Sequence, residues 1–223
     1  MSRARRQRIK AAIFDVGETL IDESRLWRSW AEWLGVPEHV LFAVLGAVIA
    51  RREHHHRLFE ILSPGFDLEA QRRKRICAGC PDTFLSSDLY PDALPCLAAL
   101  RRGGLKIGVA GNQPQGFQGT LEQLGLSLDL VGSSSDWGVA KPAPEFFHRI
   151  SNVLQMEPSS IAYISDRLDT DILPARDMGM WTVFIRRGPW GFLHSRERNL
   201  TAAHVVVNDL TELPHALGIV AQS

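Results

Sequence analysis

The sequence is poor in the features that define several large protein classes. Three cysteines among 223 residues are few and odd in number, which argues against a disulfide framework. Cys77 and Cys80 form a CxxC, but structural zinc needs four ligands and no second pair stands at finger spacing. No apolar run is long enough to span a bilayer: the longest, Val40 to Ala50, has about half the required length. The basic start, Ser2 to Lys10, runs through Ala11-Ala12-Ile13-Phe14 directly into Asp15. A signal-peptide apolar region is therefore missing, and a reduced, cytoplasmic protein without membrane contact is expected. Net charge is also absent, since 25 Lys plus Arg balance 25 Asp plus Glu; no global field draws the chain to nucleic acid. The local basic clusters, Ser2 to Lys10 and Arg72-Arg73-Lys74-Arg75, are read as a solvated tail and a solvated helix face.

What is present is an ordinary globular composition, 45% apolar and 22% charged, in a chain long enough for one good core and a small appended domain. Two textures divide it. Ile9 to Val16 is mainly apolar and ends in Gly17-Glu18-Thr19, as a buried strand entering a loop would. From Glu23 to Tyr90 no comparable strand signal appears. Leu26, Trp27, Trp30, Trp33 and Leu34 recur at helical spacing, and further helices are expected over Val40 to Arg51, His56 to Leu62 and Leu68 to Ala78. The tryptophan stripe is read as packing between helices, and His54-His55-His56 as a solvated face from which one ring could reach a site below.

After Tyr90-Pro91-Asp92 helices and strands alternate. Helices are expected over Ala93 to Arg102, Gln115 to Leu124, Pro144 to Leu154 and Asp171 to Met178. Strands are expected over Lys106 to Ala110, Leu128 to Val131, Ile161 to Ile164, Trp181 to Ile185 and His204 to Val207. Alternation of this kind implies βαβ units, hence an α/β fold: a three-layer, Rossmann-like parallel sheet. Residues 1–22 and 91–223 form that core, and residues 23–90 form an all-helical insertion after the first strand.

Ligands of open α/β sheets bind outside the carboxyl ends of the strands. The polar residues just past those ends are Asp15, Asn112, Asp136 with Lys141 further along its loop, and Asp166 with Asp169 and Asp171. Separate segments thus deliver carboxylates, an amide and a lysine to one edge. Here a resemblance becomes specific. Phe14-Asp15-Val16-Gly17-Glu18-Thr19-Leu20 is similar to the DxDxT motif of the haloacid dehalogenase-like (HAD) hydrolases. Val109-Ala110-Gly111-Asn112 resembles their second motif, Val139-Ala140-Lys141-Pro142-Ala143-Pro144 their third, and Ser165-Asp166 with Asp169 and Asp171 their GDxxxxD fourth. The helical insertion is similar to the family's C1-type cap.

The resemblance implies a hydrolase in which Asp15 is the nucleophile and Lys141 orients it and offsets phosphoryl charge. Gly111, Asn112 and Lys141 would bind phosphate. Mg2+ would be held by Asp15, the Gly17 carbonyl and Asp166, with Asp171 as the second acidic position. Attack by a carboxylate on a phosphoryl dianion requires such positive charge, and Mg2+ takes oxygen ligands of this kind. The implied substrate is a small phosphorylated metabolite. Two departures stand out: the family's acid/base aspartate is Gly17 here, and its second-motif hydroxyl is Gly111. A 2-haloacid dehalogenase, whose leaving halide needs no proton, is one alternative; a phosphate- and metal-binding protein of weakened activity is another. The apolar helix from Val40 to Ala50 suggests a homodimer interface.

Overall fold

The computed structural model describes residues 8–219, so most of the basic tail lies outside the described residues. The chain opens with β1 (Ala11–Phe14), which is buried along its whole length. Helices α1 (Ser24–Leu34), α2 (Glu38–Ala50), α3 (Arg57–Leu62) and α4 (Leu68–Cys77) follow before the sheet resumes. The rest alternates as α5 (Ala93–Arg102), β2 (Lys106–Gly111), α6 (Phe117–Gln123), β3 (Leu130–Ser133), α7 (Ser134–Trp137), α8 (Pro144–Leu154) and β4 (Ile161–Ser165). It ends with α9 (Leu173–Asp177), β5 (Trp181–Ile185), α10 (Gly188–His194), β6 (Val205–Val207) and α11 (Leu213–Ala216).

The sheet has six parallel strands in the order β3-β2-β1-β4-β5-β6. β1 alternates its side chains between two layers. Ala12 and Phe14 join Leu97, Leu100, Phe117 and Leu121 of α5 and α6, while Ala11 and Ile13 join Phe146, Phe147, Ile150 and Ala175 of α8 and α9. A strand with a helical layer on each side is buried on both faces, which is why its sequence is continuously apolar. The expected three-layer α/β architecture is therefore correct. Chain order runs outward from β1 to β3 and then crosses to β4 on the other side, so a topological switch point lies between β1 and β4. Phe14 pairs with Val109 on one side and Ile164 on the other, which brings Asp15, Gly111 and Asp166 to nearly one level.

The helices between β1 and β2 have their own apolar cluster: Trp27, Trp30, Leu41, Leu45, Leu58 and Phe59, joined by Trp190 from α10. The tryptophan stripe is thus packing, as its spacing implies. α2 buries Leu41, Leu45, Val48 and Ile49 within the chain, while Phe42 and Val44 are partly buried against the same cluster. Two expectations need correction. Arg75 does not lie on a solvated face: it is 2% exposed, stacks 4.2 Å from the Trp30 ring centroid and donates to Ser29 O and Ser29 Oγ. His55 is likewise not solvated; it packs edge-on to Trp27 and Trp190, and burial pushes its pKa down to about 2. Helix α10 has little sequence signal, because Gly188, Pro189 and Gly191 weaken the pattern. Pro189 sits at the start of the helix, where no N–H is needed, and Trp190 anchors it through tertiary packing.

Candidate active site

The loop after β1 turns sharply. Val16 O accepts from the N–H groups of Thr19, Leu20 and Ile21, and Glu18 adopts a left-handed φ of 51°. This turn leaves Asp15 at the sheet edge and frees Gly17 O, which accepts no hydrogen bond among the described residues. Lys141 reaches the same point from the loop before α8. Its Nζ donates to Asp15 Oδ1 at 2.7 Å and to Asp171 Oδ2 at 2.6 Å. Burial alone would lower the Lys141 pKa, but Asp15 and Asp171 reverse that and hold it well above its ordinary value. The ammonium is therefore fixed and charged.

Asn112 holds Lys141 in place. Its Oδ1 accepts from Lys141 N at 2.8 Å and its Nδ2 donates to Lys141 O at 3.0 Å. Both ends of the amide are thus committed to the lysine's main chain. Gly111 lies against the nucleophile candidate, since a β-carbon there would stand 2.9 Å from Asp15 Oδ1. Asp171 belongs to a π-helical turn, Leu168–Ile172, a geometry common at functional sites. Besides Lys141, Ser165 Oγ donates to its Oδ2 at 2.7 Å and Thr170 Oγ1 to its Oδ1 at 2.6 Å. Asp136 and Asp169 stand outside this group: the first accepts from Gly116 N, and the second pairs with Arg167.

Asp166 is the opposite case. It is 1% exposed, and neither carboxylate oxygen has a hydrogen-bond partner among the described residues. Burial, then Asp15, Glu18 and Asp171, push it well above the carboxylate range. Burial also raises Asp15, opposed by Lys141 and reinforced by Asp171. A buried carboxylate without a partner is costly, and an incoming cation is the natural compensation. The donor set of Asp166, Asp15 and the free Gly17 carbonyl is all oxygen and suits a hard divalent ion such as Mg2+.

Residues without a motif signature complete the site. Tyr90 Oη donates to Glu18 Oε2 at 2.6 Å, which ties Glu18 away from the nucleophile. Arg187 stacks 4.0 Å from the Tyr90 ring centroid and donates to Thr19 O. Gly191 brings α10 so close that a β-carbon would stand 3.3 Å from Asp166 Cβ, so the segment after β5 borders the site. Glu23 lies beside Gly17, and its carboxyl is pushed up to about 8 by burial, then by Glu18 and Asp15.

The sequence matches the haloacid dehalogenase-like hydrolase family over residues 9–179. The chain belongs to that family. Among relatives of this hydrolase, the glyceraldehyde 3-phosphate phosphatase of Methanopyrus kandleri is 32% identical over 207 residues, covering 84% of this chain and 88% of the relative. A magnesium-bound HAD hydrolase from Bacillus subtilis superposes with a TM-score of 0.69 at 20% identity, covering 95% of this chain and all of the other. The L-2-haloacid dehalogenase of Xanthobacter autotrophicus, with chloropropionic acid covalently bound, gives 0.69 at 19% identity over 97% of this chain. The two structures establish the fold of this hydrolase and do not choose between phosphorus and carbon as the point of attack.

Proposed function

We propose that this hydrolase is a Mg2+-dependent phosphatase of a small phosphorylated metabolite, acting through an aspartyl-phosphate on Asp15. The observation that carries this reading is Asp166, a buried carboxylate with both oxygens unpartnered beside an aspartate already clamped to a lysine. A dehalogenase has no use for a cation at that position. The phosphatase relative, at 32% identity over most of both chains, supports a small phosphorylated substrate.

Asp15, Asp166 and the Gly17 carbonyl would hold Mg2+, which would supply positive charge against the phosphoryl dianion. Asp15 attacks phosphorus in line with the leaving oxygen. Lys141 opposes the upward push of burial on Asp15 and aims its carboxylate, and its charge offsets that on the transferring group. Asp171, with its oxygens taken by Lys141, Ser165 and Thr170, acts on the site through Lys141. Since the Asn112 side chain is committed to Lys141, phosphate contacts at Gly111 and Asn112 fall to the backbone amides. Residues 23–90 serve as a cap that excludes water and reads the substrate's shape.

Inorganic phosphate release from p-nitrophenyl phosphate, acyl phosphates and triose phosphates, with and without Mg2+, tests the reading. Turnover requires Mg2+ and vanishes in Asp15→Asn, whose circular dichroism stays native. Chloride release from 2-chloropropionate without phosphate release would favour the dehalogenase. Mg2+ binding with no turnover of any substrate would favour a binding protein.

A further inference from the structure

The place beside Gly17, where a side chain would project toward the reacting atoms, is filled from elsewhere in the chain. A β-carbon at Gly17 would stand 2.8 Å from Glu23 Cδ and 3.3 Å from Oε2, with Oε1 nearer still. The Glu23 carboxyl therefore occupies the volume that an aspartate at position 17 would use. Glu23 stands at the N-cap of α1 and its side chain makes no capping bond; from its own helix only the Trp27 side chain, one turn on, favours its charged form. It takes part in no ion pair among the described residues, although Arg25 and Arg28 lie on the same helix and pair with Asp88 and Glu38. The main chain is positioned by Glu18, whose Oε1 accepts from Glu23 N at 3.3 Å.

The other acids and bases nearby are committed. Glu18 holds Tyr90 Oη and Glu23 N. Asp171 accepts from Lys141, Ser165 and Thr170. His55 is packed against the Trp27 and Trp190 rings. Asp166 is closed from solvent and assigned to the cation. We propose that Glu23 is the proton donor and acceptor of the reaction, supplying through space the carboxyl that position 17 lacks in sequence. This rests on the phosphatase reading above. As Asp15 Oδ bonds to phosphorus and the ester P–O bond breaks, the protonated Glu23 gives its proton to the departing alkoxide. The Glu23 carboxylate then takes a proton from water as the water oxygen attacks the aspartyl-phosphate. The P–O bond to Asp15 breaks, phosphate leaves, and Asp15 and protonated Glu23 are restored.

The experiment compares Glu23→Gln, Glu23→Ala and the double variant Gly17→Asp/Glu23→Ala on p-nitrophenyl phosphate and glycerol phosphate. A leaving group that needs a proton should suffer most. E23Q loses about 10²- to 10⁴-fold on glycerol phosphate, the usual effect of removing a general acid. It retains a rapid burst of p-nitrophenolate, followed by slow turnover, because formation of the aspartyl-phosphate no longer needs the acid while its hydrolysis still needs the base. The double variant recovers at least about tenfold over E23A on glycerol phosphate, since removing the Glu23 carboxyl clears the space that an aspartate at position 17 requires. Wild-type rates in E23Q on both substrates overturn the assignment, as does equal loss on both without a burst in a variant of unchanged melting temperature. If E23Q is destabilised, the double variant decides, and failure to recover overturns it. A wild-type protein inert toward every phosphate instead sinks the phosphatase reading, and this assignment with it.

Discussion

Replacing Asp166 by asparagine should make the metal-free protein more stable while removing its response to Mg2+. The carboxylate is buried with no partner, and Asp15, Glu18 and Asp171 all repel it. Its penalty has a ceiling, because past a certain cost the folded protein takes up a proton instead. From the ordinary value of 3.8 to pH 7, at about 1.4 kcal/mol per pH unit, that ceiling is about 4 kcal/mol. Asparagine removes the charge but leaves a buried amide short of partners, which costs about 2 kcal/mol. The net gain is then at most about 2 kcal/mol, or at most roughly 4–8 °C in melting temperature for a chain of this size. The pH dependence follows the same sign. The folded-state pKa is raised, so the folded protein binds more protons, and stability falls as pH climbs from 3.8 toward the raised value; D166N loses that slope.

Calorimetry in EDTA and across a Mg2+ titration reads both effects. The wild type gains stability with Mg2+ and the variant does not. Asp171→Asn is the control of opposite sign: Asp171 is a saturated partner of Lys141, so its loss leaves a buried ammonium half-paired and costs about 3 kcal/mol. A D166N protein that melts below the wild type in EDTA, or that keeps the wild-type Mg2+ response, refutes the reasoning.

Arg75→Met should cost about 2 kcal/mol in urea denaturation, because it removes two hydrogen bonds to Ser29 and the stacking on Trp30; Arg73→Met, on the exposed face, should stay within about 0.5 kcal/mol. His55 remains neutral in the folded state, with its pKa pushed down to about 2 by burial and then by His56 and His54. The unfolded chain therefore binds the extra proton below 6.5, and His55→Gln should remove up to about 2 kcal/mol of the stability lost between pH 6.5 and pH 5. Gly191→Ala places a β-carbon 2.9 Å from Ile185 O; it should cost about 1–3 kcal/mol and weaken Mg2+ binding by displacing Asp166, measurable by thermal unfolding and calorimetric titration.

The parts of this molecule legible in sequence are those set by periodicity and by strand ends. β1 reads as a doubly buried strand because Ala11 to Phe14 must satisfy two helical layers, and Asp15 falls at the sheet edge by the same logic. Arg75 was not legible, because four consecutive basic residues look alike until Trp30 covers one of them. The role of Asn112 was hidden for a similar reason. An amide after a strand is an equally good partner for a phosphate or for a neighbouring loop, and only the paired contacts to Lys141 decide. Glu23 left one trace: a glycine at the acid's position, followed within a short loop by an unassigned acid at a helix start. Turning that trace into a neighbour requires the backbone to fold back, which the bonds to Val16 O accomplish.

The two acids of the fourth motif are separated by hydrogen-bond accounting more than by spacing. Asp166 and Asp171 are both fully enclosed, and both follow β4. Burial alone would assign them the same task. One accepts from an ammonium and two hydroxyls, and that set stabilises its charge permanently. The other has no donor among the described residues, so its charge is tolerable only when something outside the chain supplies the compensation. A chain that satisfied both would have a stable, closed edge with no reason to take up a cation. A chain that satisfied neither would carry two buried, repelling carboxylates and a free lysine. The observed division keeps Lys141 fixed next to Asp15 and, of these two acids, leaves only Asp166 short of positive charge, which is where a cation and a phosphate would be drawn in together.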